Sequence, residues 1–321
     1  MKDIRTQIHE PCLMENGCYP DDSCRLYSPE GICFSVLPEK GQGHYWAYYH
    51  ENLFSIMIQD FVFYEDLFME YRQPRYINVN CYDSVSGEEI RPYKRLSCNC
   101  INGHIGNNNL YQAVFHKNIP IRSTAIMIMP EYYEDYLRTK YPGEYKDPRS
   151  AFVSVDGRTD FPELIFLLRQ VRAFRGTGIS AKLYYEGKVA EAVSLIIEKT
   201  AQSKSQVKSI CGQDLDSLAY VTAYINDHFT FDIHLDQLAR MACMGTTKLK
   251  YAFREVHKCT ITEYIQNKKT AHAEHLLANT DMTIKQIAQV VGYKDAGRFS
   301  ELFRKNMGLL PNEYRKLSAL K

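Results

Sequence analysis

The stretch Gly292-Tyr293-Lys294-Asp295-Ala296-Gly297-Arg298-Phe299-Ser300-Glu301-Leu302-Phe303-Arg304-Lys305 decides how the chain is read. Its glycine suits a turn at positive φ. Asp295 is placed to cap the helix that follows and to favour the positive end of that helix's dipole. Phe299 and Phe303, spaced i, i+4, bury one face and leave the opposite face polar. Just upstream, Ile287-Ala288 supplies a small residue where a preceding helix would cross closely. The whole reads as helix, turn, helix.

A second copy lies about 50 residues earlier. Residues 235–264 and 284–314 superpose, with Leu238-Ala239, Cys243-Met244-Gly245, Leu249, Phe253 and Tyr264 answering Ile287-Ala288, Gly292-Tyr293, Phe299, Phe303 and Tyr314. Phe253 to Tyr264 and Phe303 to Tyr314 are both 11-residue intervals, whereas Ala239 to Phe253 is 14 and Ala288 to Phe303 is 15. The second turn therefore carries one extra residue. Between the copies, residues 262–278 predict one helix, which would hold the two units at a fixed distance.

With Gly308-Leu309-Leu310-Pro311 and Tyr314-Arg315 added, this pattern resembles the C-terminal domain of the AraC/XylS family over residues 214–316. The resemblance implies a regulator that reads double-stranded DNA with two recognition helices in successive major-groove segments. The faces turned to DNA would be Thr246, Thr247, Lys248, Lys250, Tyr251 and Arg254 in the first helix. In the second they would be Ala296, Gly297, Arg298, Glu301 and Lys305. Lys248, Lys250 and Arg298 have the chemistry to read guanine O6/N7, with phosphate contact as the alternative for each. The chain departs from the family pattern at Cys243 and Lys258, where glycine is usual or frequent, and at Glu301, where arginine is frequent. A non-glycine residue at positive φ costs on the order of 1 kcal/mol, so those turns are expected to be reshaped. Glu301 either accepts from cytosine N4 or pairs with a basic neighbour.

Charge separates the chain into two parts. Residues 238–321 hold 15 Lys/Arg against 7 Asp/Glu, a balance of +8, and the rest holds 24 against 31, or −7. A basic module on an acidic body fits a polyanion binder joined to something else. At 321 residues, two domains are expected. No run of about 18 apolar residues predicts a membrane span. The first residues show no apolar secretory core, so the expectation is a cytoplasmic protein with reduced cysteines.

The first half reads differently. From Gly31 to Met129, short runs rich in Tyr, Phe, Ile and Val are broken by Gly, Asn, Asp and Pro, which predicts a β-sandwich or barrel. Helices follow over 131–141, with Tyr133, Tyr136 and Leu137 on one side, then over 161–174 and 181–202. A Ser/Lys-rich linker follows. The fold class is therefore α+β: an N-terminal β-rich domain, cupin-like by the family resemblance, with packed helices, and an all-α C-terminal domain with two helix-turn-helix units. Boundaries are expected at 1–202 for sensing and dimerisation, 203–213 for the linker and 214–321 for DNA binding.

Tyr45, Trp46, Tyr48 and Tyr49 are the candidate lining of a pocket for an unidentified small-molecule effector. Leu183, Ala190, Val193 and Ile197 form the candidate stripe for a homodimer. The resemblance also allows RNA polymerase as a partner. His44 and His50 match a cupin metal motif poorly, so no metal and no cofactor are expected. No nucleophile–base set or phosphate loop marks an enzyme. The alternative reading is a covalent, redox or metal-responsive sensor (or enzyme) delivered to DNA, prompted by Cys12, Cys18, Cys24 and Cys33.

Overall fold

A computed structural model describes residues 4–91, 94–204, 212–257 and 259–318. The chain divides into two compact units, Met1–Ser203 and Lys204–Lys321. Among the described residues no helix is long and apolar enough to cross a membrane.

The first unit is built on two antiparallel sheets. Its strands are β1 (Cys18–Pro20), β2 (Ile32–Val36), β3 (Gly41–His50), β4 (Phe54–Phe63), β5 (Leu67–Arg72), β6 (Tyr76–Ser84), β7 (Gly87–Glu89), β8 (Lys94–Arg95), β9 (Ile101–Gly106), β10 (Leu110–Phe115) and β11 (Ile121–Ile128). Seven of them form one sheet in the order β1-β2-β3-β4-β11-β6-β9, and the other four form β5-β10-β7-β8. A π-helical segment, Arg5–His9, runs into α1 (Glu10–Glu15). A second, Glu131–Tyr136, runs into α2 (Leu137–Lys140), and α3 (Arg149–Ser154), α4 (Pro162–Ala173) and α5 (Gly178–Lys204) follow.

Period-2 alternation gives the large sheet two different faces. Phe34, Tyr45, Met57, Phe61 and Met127 share an apolar cluster with Ala113 and Phe115 of the small sheet. Cys33, Trp46, Tyr48, Ile56, Ile58, Ile77 and Val79 pack instead with Phe152, Leu164, Leu168, Tyr185 and Val189 of the helices. The unit is thus three layers: small sheet, large sheet, helices. Burial of this many large apolar side chains at about 1.5–3 kcal/mol each dominates the stability of both interfaces.

Three expectations change here. In α5 the stripe buried within the unit is Ala181, Tyr185, Val189, Ala192, Val193 and Ile196, so of the candidate dimer stripe Leu183, Ala190, Val193 and Ile197 only Val193 is taken up by the unit's own core. Tyr185 lies two residues, or about 200°, round the helix from Leu183. Leu183 and Ile197 are exposed, as is Ala190, while Val193 is only 5% exposed and belongs to its own unit's core. Tyr136 is exposed although Tyr133 is buried, because the π-helical segment changes the angular spacing between them. Ser203 and Lys204 finish α5, and Gly212 and Gln213 open the next helix; the rest of the expected linker lies outside the described residues.

The second unit is all helix: α6 (Gly212–His228), α7 (Leu235–Met241), α8 (Thr246–His257), α9 (Ile261–Asn279), α10 (Ile284–Val290), α11 (Ala296–Met307) and α12 (Pro311–Ser318). Two capping boxes start α9 and α10: Thr260 with Glu263, and Thr283 with Gln286. Their Thr-x-x-Glu/Gln pattern was readable in the sequence.

Candidate nucleic-acid interface

The pairs α7–α8 and α10–α11 are built alike. Leu238, Ala239, Leu249 and Phe253 are buried in the first, and Ile287, Ala288, Phe299 and Phe303 in the second. In the first turn Cys243 N donates to Arg240 O at 3.1 Å and Met244 N to Ala239 O at 3.0 Å. In the second, Gly292 N donates to Gln289 O at 3.0 Å and Tyr293 N to Ala288 O at 2.8 Å. Cys243 has φ 52° and Gly292 has φ 83°, so the cysteine adopts the left-handed conformation instead of reshaping the turn. Phe253 meets Tyr264 edge-on at 5.5 Å, and Phe303 meets Tyr314 edge-on at 5.6 Å. The 11-residue interval of the sequence is this aromatic pair, which locks each second helix to the helix that follows.

Asp295 caps α11, its Oδ1 accepting from Arg298 N at 2.6 Å. This fixes where α11 starts and turns Gly297, Arg298, Glu301 and Lys305 outward, all exposed, with Ala296 half-buried. Glu301 Oε2 sits 3.6 Å from Arg298 Nη1. Both side chains are well exposed, so the pair contributes only about 0–1 kcal/mol and yields readily to a stronger partner.

On α8, Thr247, Lys248 and Lys250 are exposed, and Thr246, Tyr251 and Arg254 are half-buried. Lys248 Nζ donates to Asp214 Oδ1 of α6 at 2.7 Å, which ties down one of the candidate base readers. The Tyr251 hydroxyl is enclosed and has no hydrogen-bond partner among the described residues. Lys258 lies outside the described residues. Sequence reasoning missed Lys269 on α9. Its Nζ donates to Gly292 O at 3.0 Å and lies 4.9 Å from the Tyr293 ring centre, and burial lowers its pKa. That lysine clamps the second turn to the connecting helix. Its spacing carries no signal, because the contact exists only once α9 and α10 have folded together.

The first unit holds an interior cavity of about 170 Å³ between its sheets, closed on one side by Ile4, Ile8, His9, Cys12 and Leu13 of the N-terminal helical segment. Tyr76, Asn78, Asn80 and Tyr82, alternate residues of β6, line it, while Ile77, Val79 and Cys81 face the helices. Among the described residues, Asn78 Oδ1 and Asn80 Oδ1 are enclosed acceptors without a donor. Burial raises the pKa of Glu89, against the pull of Lys94, and Tyr111 hydrogen-bonds to it. Burial, with Lys94 beside it, lowers that of His104, whose Nε2 meets Gln73 Oε1 at 2.9 Å. The four aromatics expected to line one pocket are divided by the pleat. Tyr45 lines the cavity, whereas Trp46 and Tyr48 pack beneath the helices, with Trp46 Nε1 donating to Ser28 O at 2.9 Å. Tyr49 OH meets His9 Nδ1 at 2.8 Å, tying β3 to the segment that closes the cavity.

Residues 238–317 match a sequence family described as a helix-turn-helix domain. The HTH-type transcriptional activator RhaR of Mannheimia succiniciproducens is 26% identical over 123 residues, which are 38% of this chain and 43% of that protein. The arabinose operon regulatory protein of Salmonella typhimurium is 27% identical over 135 residues, 40% of this chain and 48% of that protein. The chain thus spans less than half the length of these curated relatives. Among solved structures, the DNA-binding domain of AdpA in complex with a target DNA is similar at 23% identity. That match covers 31% of this chain and 89% of that one, with a TM-score of 0.30.

Proposed function

We propose that the chain, whose second unit carries the matched helix-turn-helix domain, is a regulator of the AraC/XylS type: a sequence-specific DNA-binding transcriptional regulator controlled by a small molecule. The observation that carries the first half of this reading is the duplicated pair, α7–α8 and α10–α11, in a segment with a balance of +8. Each pair offers a second helix for a major groove. Lys250 and Arg298 are the candidates for base reading, and Lys248, Arg254 and Lys305 for phosphate.

The cavity of the first unit supports the second half. We take the paired sheets as cupin-like and the cavity as the effector site. Its size suits a molecule somewhat larger than benzene, the occupant of a cavity of about 150 Å³. The two unpaired asparagine oxygens call for a ligand that carries hydrogen-bond donors, since an unmade buried bond costs about 1–3 kcal/mol. Regulation requires the ligand to bind one DNA-binding state better than the other. Titration of the full-length protein with small-molecule fractions should shift operator affinity by about 5- to 150-fold for the correct ligand. A ligand that occupies the cavity, shown by its loss in Asn80→Leu, and leaves DNA affinity unchanged would break the coupling.

The exposed row Leu183, Ala190 and Ile197 lies along a groove shared with Tyr136 and Tyr141. We place the homodimer contact there. Leu183→Glu, at a position 60% exposed, is expected to give a folded monomer by light scattering and circular dichroism. A dimer that survives the charge puts the contact elsewhere.

A further inference from the structure

On the helix-facing side of the large sheet, Cys24, Cys33 and His44 bring two sulfurs and a ring nitrogen within 4.8 Å of one another. Among the described residues no other group of three such side chains meets so closely. We propose that these three residues form a zinc site, with water in the fourth position, separate from the effector cavity and from the DNA-binding unit.

The fold builds the cluster from three segments. β2 and β3 pair with Cys33 opposite Trp46 and Ser35 opposite His44. Alternate residues share a face, so Cys33, Ser35 and His44 project together. Cys24 comes from the loop between β1 and β2, which Asp21 folds back: Asp21 N donates to Cys33 O at 2.8 Å, and Cys24 N to Asp21 O at 3.4 Å. Tetrahedral zinc, with bonds of about 2.3 Å to sulfur and 2.0–2.1 Å to nitrogen, holds donor atoms roughly 3.5–3.8 Å apart. From an upper bound of 4.8 Å the contraction needed is at most about 1.0–1.3 Å, within the reach of side-chain rotation.

The surroundings prepare the histidine. Ser35 Oγ lies 2.5 Å from Asp21 Oδ2 and 3.0 Å from His44 Nδ1. A carboxylate only accepts, so the serine proton points at Asp21 and the serine oxygen accepts from Nδ1–H. That leaves the lone pair of His44 on Nε2, the form a metal requires. A carboxylate relayed to a ligand histidine is a common outer shell of zinc sites. Ser23 completes it, its Oγ donating to Asp21 Oδ1 at 2.5 Å. On binding, each thiol releases one proton, and the two thiolates cancel the charge of Zn2+. Soft sulfur with imidazole selects zinc over magnesium or calcium.

The test uses full-length protein, reduced, stripped with a chelator and titrated with Zn2+ or Co2+. About one metal per chain is expected, with the thiolate-to-cobalt absorption of a tetrahedral site. Trp46, the sole tryptophan, sits opposite Cys33 in the ladder, so its emission should change on zinc binding. Cys33→Ser should abolish binding, and Ser35→Ala should weaken it by about 10- to 100-fold. Should Cys33→Ser fail to fold, His44→Ala, at a half-buried position, carries the same test. Cys243→Ser, at the exposed turn of the second unit, should bind zinc as the parent does. The proposal is overturned if the reduced protein holds no zinc, or if His44→Ala and Ser35→Ala bind it unchanged. It is equally overturned if Cys24 and Cys33 are found as a disulfide whose reduction produces no metal site.

Discussion

Raising salt from about 50 to about 200 mM is expected to weaken operator binding by about 10³-fold, for six phosphate contacts at a slope of about −0.9 each. Six is the upper count, one phosphate for each Lys or Arg side chain on the two second helices: Lys248, Lys250 and Arg254 on α8, and Arg298, Arg304 and Lys305 on α11. A side chain that reads a base instead, as proposed for Lys250 and Arg298, lowers it by one. The local geometry modifies that figure. Lys248 must leave Asp214, and Arg298 must leave Glu301, before either reaches DNA. The slope should therefore fall somewhat short of the full six. Fluorescence anisotropy of the full chain on a labelled operator across a salt series measures it. Arg298→Ala divides the remaining question. A loss of about 1–3 kcal/mol on the operator with random DNA unchanged assigns guanine reading. A uniform loss with a slope shallower by about 0.9 assigns phosphate. Binding that ignores salt would remove the electrostatic basis of the proposed interface.

What the sequence disclosed depended on how local each signal was. The second helix-turn-helix was legible because its turn glycine, its cap Asp295 and its i, i+4 phenylalanines all act within one short segment. Tyr45, Trp46, Tyr48 and Tyr49 were visible as an aromatic run, yet a strand sends neighbours to opposite faces, and alternation alone divides Tyr45 from Trp46. The β6 run Tyr76-Ile77-Asn78-Val79-Asn80-Cys81-Tyr82 carries the same period, polar on the cavity side and apolar on the helix side. Knowing that the polar side meets a second sheet required the pairing of β5 with β10, residues about 40 apart. In α5, Leu183, Ala190 and Ile197 keep a seven-residue spacing on the outer face, and only Val193 of that stripe turns to the inner face, which also runs through the small Ala181 and Ala192. Cys24, Cys33 and His44 have no motif spacing; the β2–β3 register brings Cys33 near His44, and the folded-back loop between β1 and β2 adds Cys24.

Gly292→Ala is expected to destabilise the second unit by about 2–5 kcal/mol. A β-carbon built at Gly292 would lie 1.8 Å from the Thr230 carbonyl oxygen and 2.7 Å from its carbon. Neither atom is the end of a flexible side chain, so the turn or the segment after α6 must move. Overpacking of this kind costs about 1–3 kcal/mol. A left-handed backbone, here φ 83°, adds roughly 1–2 kcal/mol for any residue with a β-carbon. The same displacement would pull Gly292 O away from Lys269 Nζ and tilt the start of α11, taking Arg298 out of register with its groove. Cys243 is the internal control. It holds the equivalent turn at φ 52° with an exposed side chain, so the first turn already bears the backbone strain without the clash. Cys243→Gly should relieve that strain and stabilise α7–α8 by about 1 kcal/mol. Urea unfolding followed by circular dichroism reads both variants, and Trp46 fluorescence, confined to the first unit, should report the same midpoint as in the parent protein. A Gly292→Ala protein as stable as its parent would mean that the Thr230 segment yields freely, and the close approach would then have no part in holding the second turn.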